Sequence, residues 1–414
     1  MKRYDAYKDS GVKWIGKIPS HWEVKKLRTC FQERREKVSD KDYAPLSVSK
    51  LGITPQLDTA VKTDNGDNRK KVAKGDFVVN SRSDRKGSCG FSDYDGSVSL
   101  INIVLTPRKI NKLFYHYLFR SNNYIEEFYS QGRGIVADLW TTRYSEMKNI
   151  NIPVPPLPEQ QAIVDYLIDK TLKIEQYVSA RERERELLDS LKQSEIANVV
   201  TKGLNPNVKM KDSGIFWVPE IPVHWKITKL KHVLIKLNRD KSPNSELLVC
   251  SNKGEVIKKG DSKMGLVANN DEIYQGVCKG DLLIHGMDTW HGAIAISNYD
   301  GMCTPVVHVC NSNQDKKFIA YYLRFMALSK VFKLISNGVR QNTSDFRSWD
   351  KVGAIPIPVP PLSEQQAIVA YIDEKLQKID QYMADLQREI DYLKEFKQRL
   401  ISDAVTGQLC VTKQ

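Results

Sequence analysis

Two short loops carry the side chains with the most scope for recognition chemistry. The first is Ser81-Arg82-Ser83-Asp84-Arg85-Lys86-Gly87-Ser88, preceded by Asn80. A guanidinium offers two parallel donors that match O6 and N7 of guanine in the major groove, and a carboxamide pairs with adenine in the same way. An ammonium suits phosphate, which positions a protein without reading sequence. Arg82 and Arg85 are therefore candidates for guanine, Asn80 for adenine and Lys86 for the DNA backbone, with Ser83 between them. The second loop opens on His285, itself a candidate for DNA contact, and reads Gly286-Met287-Asp288-Thr289-Trp290-His291-Gly292. Here Asp288 can accept from cytosine N4, Thr289 can touch a thymine methyl and His291 can donate to a base acceptor. Trp290 either wedges between bases or packs. A second cluster lies downstream of each loop. Gly132-Arg133-Gly134 with Trp140-Thr141-Thr142-Arg143 offers Arg133 and Arg143, and Gly338-Val339-Arg340-Gln341-Asn342-Thr343 offers Arg340, Gln341 and Asn342. The run Arg69-Lys70-Lys71 suits phosphate. For every one of these segments the bland alternative is a solvated surface loop.

What positions the loops is a repeat. Val154-Pro155-Pro156-Leu157-Pro158-Glu159-Gln160-Gln161-Ala162-Ile163-Val164 returns 205 residues later as Val359-Pro360-Pro361-Leu362-Ser363-Glu364-Gln365-Gln366-Ala367-Ile368-Val369. Asp9-Ser10-Gly11, Ile18-Pro19 and His21-Trp22 return 203 residues later as Asp212-Ser213-Gly214, Ile221-Pro222 and His224-Trp225. A repeat of such long period fixes the architecture before any local pattern does. Each half runs in one order: a Trp-bearing opening segment, a strand-rich region, a Pro-rich hinge and a long helix. Lys74-Gly75-Asp76 and Lys279-Gly280-Asp281 read as turns into buried strands, and Tyr94-Asp95-Gly96 and Tyr299-Asp300-Gly301 as turns between strands. Lys112–Arg120 and Lys317–Phe325 read as a short helix with an aromatic face, on which His116 is a core or rim residue.

The hinge prolines force extended backbone, giving a stiff polyproline-like strap. Ser363 and Gln366 then fit a capping box, and Pro158 suits a helix start in the first copy. The second helix places Ile372, Ile379, Leu386, Leu393 and Leu400 at intervals of seven, with Ile368, Tyr382 and Phe396 interleaved. The first keeps Leu167, Ile174 and Leu188, with Ile163, Tyr177 and Leu191 beside them. Its charged middle, Arg181-Glu182-Arg183-Glu184-Arg185-Glu186, reads as a solvated face with local ion pairs. Gly203 and Gly407 supply the stops. Each helix spans about 64 Å at 1.5 Å per residue and cannot bury its stripe alone, so the two are expected to pair antiparallel. The predicted fold class is α+β, with two mixed α/β recognition domains separated by two long antiparallel helices as a pseudo-twofold repeat. The segments are 1–152 for the first recognition domain and 153–204 for its hinge and helix. They continue with 205–357 for the second domain and 358–414 for its hinge, helix and C-terminal tail.

Composition points to a polyanionic partner: 63 Lys and Arg stand against 50 Asp and Glu, a net charge of +13. No run of apolar residues is long enough to span a bilayer and the first residues lack a signal-peptide core, so a cytoplasmic protein is expected. Seven cysteines without a CxxC pair argue against a disulfide framework. Cys303, His308 and Cys310 lie in a strand-like stretch that suits buried thiols better than a metal site. Two basic modules on a rigid spacer suit double-stranded DNA, whose half-sites lie about 34 Å apart per helical turn. Unlike loops imply unlike half-sites, hence a split, asymmetric target.

The chain resembles the specificity subunit of type I restriction–modification systems. The resemblance rests on Ile18-Pro19-Ser20-His21-Trp22, Gly75-Asp76-Phe77, Pro155-Pro156-Leu157-Pro158-Glu159-Gln160-Gln161 and their second copies. It implies two target-recognition domains, two helical spacers and a bipartite site. It also implies assembly with two modification subunits, which methylate adenine N6 with S-adenosylmethionine, and two restriction subunits, which use ATP and Mg2+. The chain itself shows no Gly-x-x-x-x-Gly-Lys-[Ser/Thr], no Asn/Asp-Pro-Pro-Tyr, no His-Glu-x-x-His and no Gly-x-Ser-x-Gly. A non-catalytic targeting subunit is therefore expected, with no metal or cofactor of its own. The alternatives are a self-contained methyltransferase or nuclease with two recognition modules, and a coiled-coil scaffold.

Overall fold

The structure is a computed structural model that describes residues 3–56, 66–134, 140–242, 245–261, 273–336 and 346–411. The chain divides into two compact units, Met1–Glu182 with Gln387–Gln414, and Arg183–Leu386. Each unit therefore combines a strand-rich region with the N-terminal part of one long helix and the C-terminal part of the other. Among the described residues no helix is long and apolar enough to cross a membrane.

In the first unit a four-stranded antiparallel sheet runs Cys89–Phe91, Phe77–Asn80, Asn102–Pro107, Phe31–Glu33. Phe77 pairs with Leu105 and Val79 with Ile103. These side chains enter an aromatic core with Phe31, Phe114 and Phe119. The alternate residues Val78 and Val104 enter a second core with Leu46, Val72 and Val98. A sheet buried on both faces explains why the strand reads as a continuous apolar run. The second unit repeats the plan with Ile235–Lys236, Val307–Asn311, Leu282–His285 and Ile294–Ile296.

The repeated Lys-Gly-Asp turn has a structural reason. Gly75 and Gly280 adopt φ of +91° and +89°, where a side chain is strained. The following aspartates are buried anchors. Asp76 accepts from Arg34 at 2.6 Å and from the Ala73 amide at 2.9 Å. Asp281 accepts from Arg239 at 2.6 Å and from the Cys278 amide at 2.7 Å. His116 packs beside Phe91, and burial lowers its pKa to about 4, so it stays neutral.

The hinges are extended, and they are paired rather than free straps. Asn151–Val154 forms an antiparallel ribbon with Glu23–Lys26, and Pro356–Val359 with Lys226–Lys229. The helices begin two residues earlier than a capping box requires. They run Leu157–Lys202 and Leu362–Val405, and the amides of Gln160 and Gln365 bond to Pro156 and Pro361 at 2.9 and 3.0 Å. Pro158 sits in the first turn, where a missing N–H costs nothing. The repeated Glu-Gln pair does the fastening. Glu159 accepts from the Tyr4 hydroxyl at 2.5 Å and lies 2.8 Å from His21 Nε2; Glu364 lies 2.8 Å from His224 Nε2. Gln160 Nε2 donates to Pro155 O at 2.8 Å while its Oε1 accepts from the Asn111 amide at 3.1 Å. Gln365 makes the same two bonds to Pro360 and Asp315 at 2.8 and 3.0 Å. Replacing Gln160 by Ala strands two backbone groups, the buried Pro155 carbonyl and the half-buried Asn111 amide. It is expected to cost about 2–3 kcal/mol in urea unfolding, against a fraction of that for the exposed neighbour Gln161.

Within each unit the two helix segments are antiparallel. In the first, Arg181 Nε lies 3.2 Å from Glu389, Lys394 lies 2.8 Å from Glu182, and Lys397 pairs with Glu175. In the second, Lys192 lies 2.7 Å from Asp380 and the Tyr382 hydroxyl donates to Glu184 at 2.6 Å. The charged middle of the first helix is thus partnered by the second helix, which corrects the expectation of purely local pairs. Exposed ion pairs of this kind add little stability; the apolar seam holds the pair. Ile372, Leu386 and Leu400 are buried as expected, whereas Tyr177, Leu191 and Tyr382 are exposed and Val178 and Ile390 take buried places. Gly203 and Gly407 end the helices at φ of +76° and +77°. In their respective units these two turns sit against the buried indoles of Trp225 and Trp22.

Candidate nucleic-acid interface

In the first unit, backbone pairing brings together segments distant in sequence. The Thr142 amide donates to Ser81 O at 3.0 Å and the Ser83 amide to Trp140 O at 2.9 Å. Arg133 and Thr141 exchange two bonds of 3.2 and 3.1 Å. Thr141 is thereby bridged to both Arg82 and Arg133. The two clusters singled out in the sequence form one ladder. Its inner side is fixed: the Thr142 hydroxyl donates to Phe128 O at 2.9 Å, and the Tyr129 hydroxyl donates to Asn80 O at 2.8 Å and Arg85 O at 3.3 Å. Arg85, Lys86, Arg133 and Arg143 are exposed and Arg82 is half-buried. Asp84 lies 3.0 Å from Arg82 Nε and 3.8 Å from Arg85 Nε. Lys86 reaches Glu126 at 2.8 Å. These exposed pairs are weak enough to exchange for phosphate or base edges.

Several candidate residues have other duties. Arg69 is buried: Nε donates to Ser97 Oγ at 2.8 Å and Nη2 to Ser97 O at 3.1 Å. Burial pulls its pKa down, and the expected phosphate contact is corrected for this residue. The two ends of its strand are buried, Val72 in the apolar core and Arg69 on the opposite face, where Ser97 takes up its guanidinium. Lys70 is half-buried and donates to Asn102 O at 2.7 Å. The Asn80 carboxamide oxygen accepts from the Arg82 amide at 3.1 Å, so Asn80 shapes the loop's entrance. Ser83 is half-buried, with its backbone in the ladder.

In the second unit the equivalent ladder bond runs from the Phe346 amide to Gly286 O at 3.2 Å. The Gly286 amide donates to Val306 O at 2.9 Å, and His308 Nε2 donates to Phe346 O at 2.7 Å. The Asp288 amide donates to His285 Nδ1 at 3.1 Å, which requires the neutral ring; burial lowers the His285 pKa, against the pull of Asp288. Asp288 carboxylate oxygens lie 3.4 Å from His285 and 3.9 Å from His291. His291 is exposed and Asp288 half-buried. Thr289 is fully buried in the loop's short 3-10 turn, which corrects the expected thymine contact. Trp290 packs against the unit's apolar core, so of its two readings packing holds. Arg340, Gln341 and Asn342 lie outside the described residues. Cys303 and Cys310 are buried thiols whose pKa values burial pushes up to about 12. No cluster of three or more metal-ligating side chains occurs among the described residues.

One residue escaped the sequence reading. Arg347 is exposed and directly follows the bridging Phe346, as Arg143 follows Thr142. A one-residue insertion before the hinge hides this correspondence. Each unit thus holds its loop by an equivalent backbone bond, and the two loops present unlike faces. One is rich in guanidinium; the other carries a carboxylate, imidazoles and Arg347.

The family model described as the type I restriction modification DNA specificity domain matches residues 19–179 and 222–391. The type I restriction enzyme MjaVIII specificity subunit of Methanocaldococcus jannaschii is 24% identical over 434 residues, covering 98% of this chain and 97% of that protein. The type I restriction enzyme EcoDI specificity subunit of Escherichia coli is 20% identical over 349 residues, covering 78% and 76%. A chain from a solved type I R-M system superposes with a TM-score of 0.71 at 15% identity, covering 95% of this chain and 99% of that chain. The HsdS subunit from Thermoanaerobacter tengcongensis gives 0.53 at 19% identity, covering 95% and 98%. At these identities the likeness shows the fold.

Proposed function

Because this chain belongs to the type I restriction modification DNA specificity family, we propose that it directs a restriction–modification complex to a split, asymmetric duplex site, each unit reading one half. It is a sequence-recognising subunit. The observation that carries the finer reading is that equivalent loops, one in each unit, present unlike side chains: Arg82, Arg85, Arg133 and Arg143 in one unit, Asp288, His291 and Arg347 in the other. Guanidinium groups suit guanine, and a carboxylate suits cytosine.

Catalysis belongs to partners on this reading. Two modification subunits with S-adenosylmethionine methylate adenine after flipping it, and two restriction subunits use ATP and Mg2+. The cytoplasm is the compartment where such a complex meets DNA. The long helices set the spacer between half-sites and dock the modification subunits. Exposed apolar side chains along them, such as Ile168, Leu172, Leu187 and Leu191, favour docking there.

The test combines two measurements on the full-length chain. Incubated alone with duplex DNA and labelled S-adenosylmethionine, it is expected to transfer no methyl groups until modification subunits are added. Its DNA affinity, measured with and without those subunits, is expected to fall steeply with salt, with a log–log slope of about −0.9 per neutralised phosphate. Methyl transfer by the chain alone would make it a self-contained methyltransferase. Affinity that ignores salt would favour a scaffold.

A further inference from the structure

Each unit carries a hairpin beside its reading loop. In the first it is Leu46–Ser49 paired with Gly52–Pro55, and in the second Leu248–Cys250 paired with Val256–Lys258. The two are equivalent: a Cβ built on Gly96 would meet Leu46 Cγ at 2.8 Å, and one on Gly301 would meet Leu248 Cγ at 2.7 Å. Their tips read Ser49-Lys50-Leu51-Gly52 and Ser251-Asn252-Lys253-Gly254.

An arginine ties each tip into its reading head. Arg120 Nη2 donates to Lys50 O. Arg324 Nη1 donates to Gly292 O at 3.0 Å, at the end of the second reading loop, and the same guanidinium abuts Gly254. A Cβ on Gly292 would lie 3.6 Å from Asn252 O, so tip and loop are in contact. In the first unit a Cβ on Gly90, two residues after the reading loop, would lie 3.2 Å from Gly52 Cα. At this tip Leu51 is 91% exposed, next to the cationic Lys50. An almost fully exposed leucine on a tight hairpin, fastened beside an arginine-rich loop, has no partner among the described residues to justify it. An apolar side chain flanked by a cation suits a DNA groove, where thymine methyls and base steps offer apolar contact and phosphates line the rim.

We propose that the hairpin tip is a second DNA-contacting element of each unit, with Leu51 a base-contacting, specificity-determining residue for the first half-site. Lys253 at the equivalent place in the second unit contacts phosphate. This rests on the reading-loop assignment above. Leu51 supplies apolar discrimination that the guanidinium loop lacks, and the charge of Lys253 supplies affinity without sequence.

The test selects from a randomised duplex pool with the full-length chain and its modification subunits, and sequences the bound fraction. Leu51→Ala is expected to relax preference about tenfold at one or two base pairs of one half-site. Leu51→Met should largely retain that preference, and Lys253→Ala should lower recovery of all sequences alike. Arg82→Ala runs in parallel as the reading-loop control. If Leu51→Ala leaves every position unchanged while Arg82→Ala relaxes one half, the hairpin proposal fails and the loop assignment stands. If neither variant changes the selected motif, the loop assignment fails too. A uniform loss of recovery with Leu51→Ala would overturn its role in base reading. Because Leu51 is exposed, folding does not confound the comparison.

Discussion

Gly286→Ala is expected to abolish recognition of one half-site and leave the other intact. A Cβ at this position would lie 2.8 Å from Phe346 O, 2.9 Å from Arg347 Cα and 2.9 Å from Val306 O. All three are backbone atoms, from two segments, so no side-chain rotation relieves the overlap. The segments must part, which breaks the ladder bonds from Phe346 to Gly286 and from Gly286 to Val306. Overpacking costs about 1–3 kcal/mol, and two buried backbone bonds are lost with it. A drop on the order of 100-fold in preference for the second half-site follows, since about 1.4 kcal/mol is tenfold. The measurement is affinity for duplexes substituted in either half. The equivalent position in the first unit is Ser81, whose hydroxyl donates to Ile101 O at 2.5 Å, so Ser81→Ala is the mild counterpart. Equal losses at both halves would contradict modular reading.

Inserting four residues into both long helices, after Glu182 and after Leu386, is expected to move the preferred spacer. Four residues extend a helix by about 6 Å and preserve its face to within a fraction of a turn. At roughly 3.4 Å per base pair the optimum should lengthen by about two base pairs, with a loss of on the order of 100-fold on the original spacing. Affinity across a series of spacer lengths reads this directly. An unchanged optimum would show that the helices do not set the distance. Insertion in one helix alone should instead disrupt antiparallel pairs such as Lys394–Glu182 and Lys192–Asp380.

The repeat made much of the fold legible. Glu159 with Gln160, and Glu364 with Gln365, recur because each pair fastens helix, hinge and opening segment with the same bonds. Lys-Gly-Asp recurs because a positive-φ glycine and a buried carboxylate make one turn. Where the sequence misled, a local rule met a tertiary constraint. Arg69 stands in a basic run, but the neighbouring strand's Ser97 takes its guanidinium and buries it. Thr289 stands in a polar loop, but a 3-10 turn closes over it. The capping box at Ser363 is displaced because Pro361 already accepts the first helical bonds.

The candidate site was half legible. The arginine clusters around residues 82 and 133 were visible by charge, yet nothing in their spacing announced that Thr141 would bridge them. Arg347 was hidden by the single-residue insertion. The hairpin tips were hidden because their repeat, Leu-x-x-Ser-x-x-Gly, is too short and degenerate to stand out. Its two glycines become meaningful only once Arg120 and Arg324 are seen holding the tips.

The most direct measurement is a map of methylated adenines in DNA treated with the full-length chain and its modification subunits, for the parent and for Arg82→Ala. The parent should give a split motif with two different halves at fixed spacing, and the variant a motif degenerate in one half only. A continuous or palindromic motif, or degeneracy spread over both halves, would contradict two unlike reading heads on a set spacing.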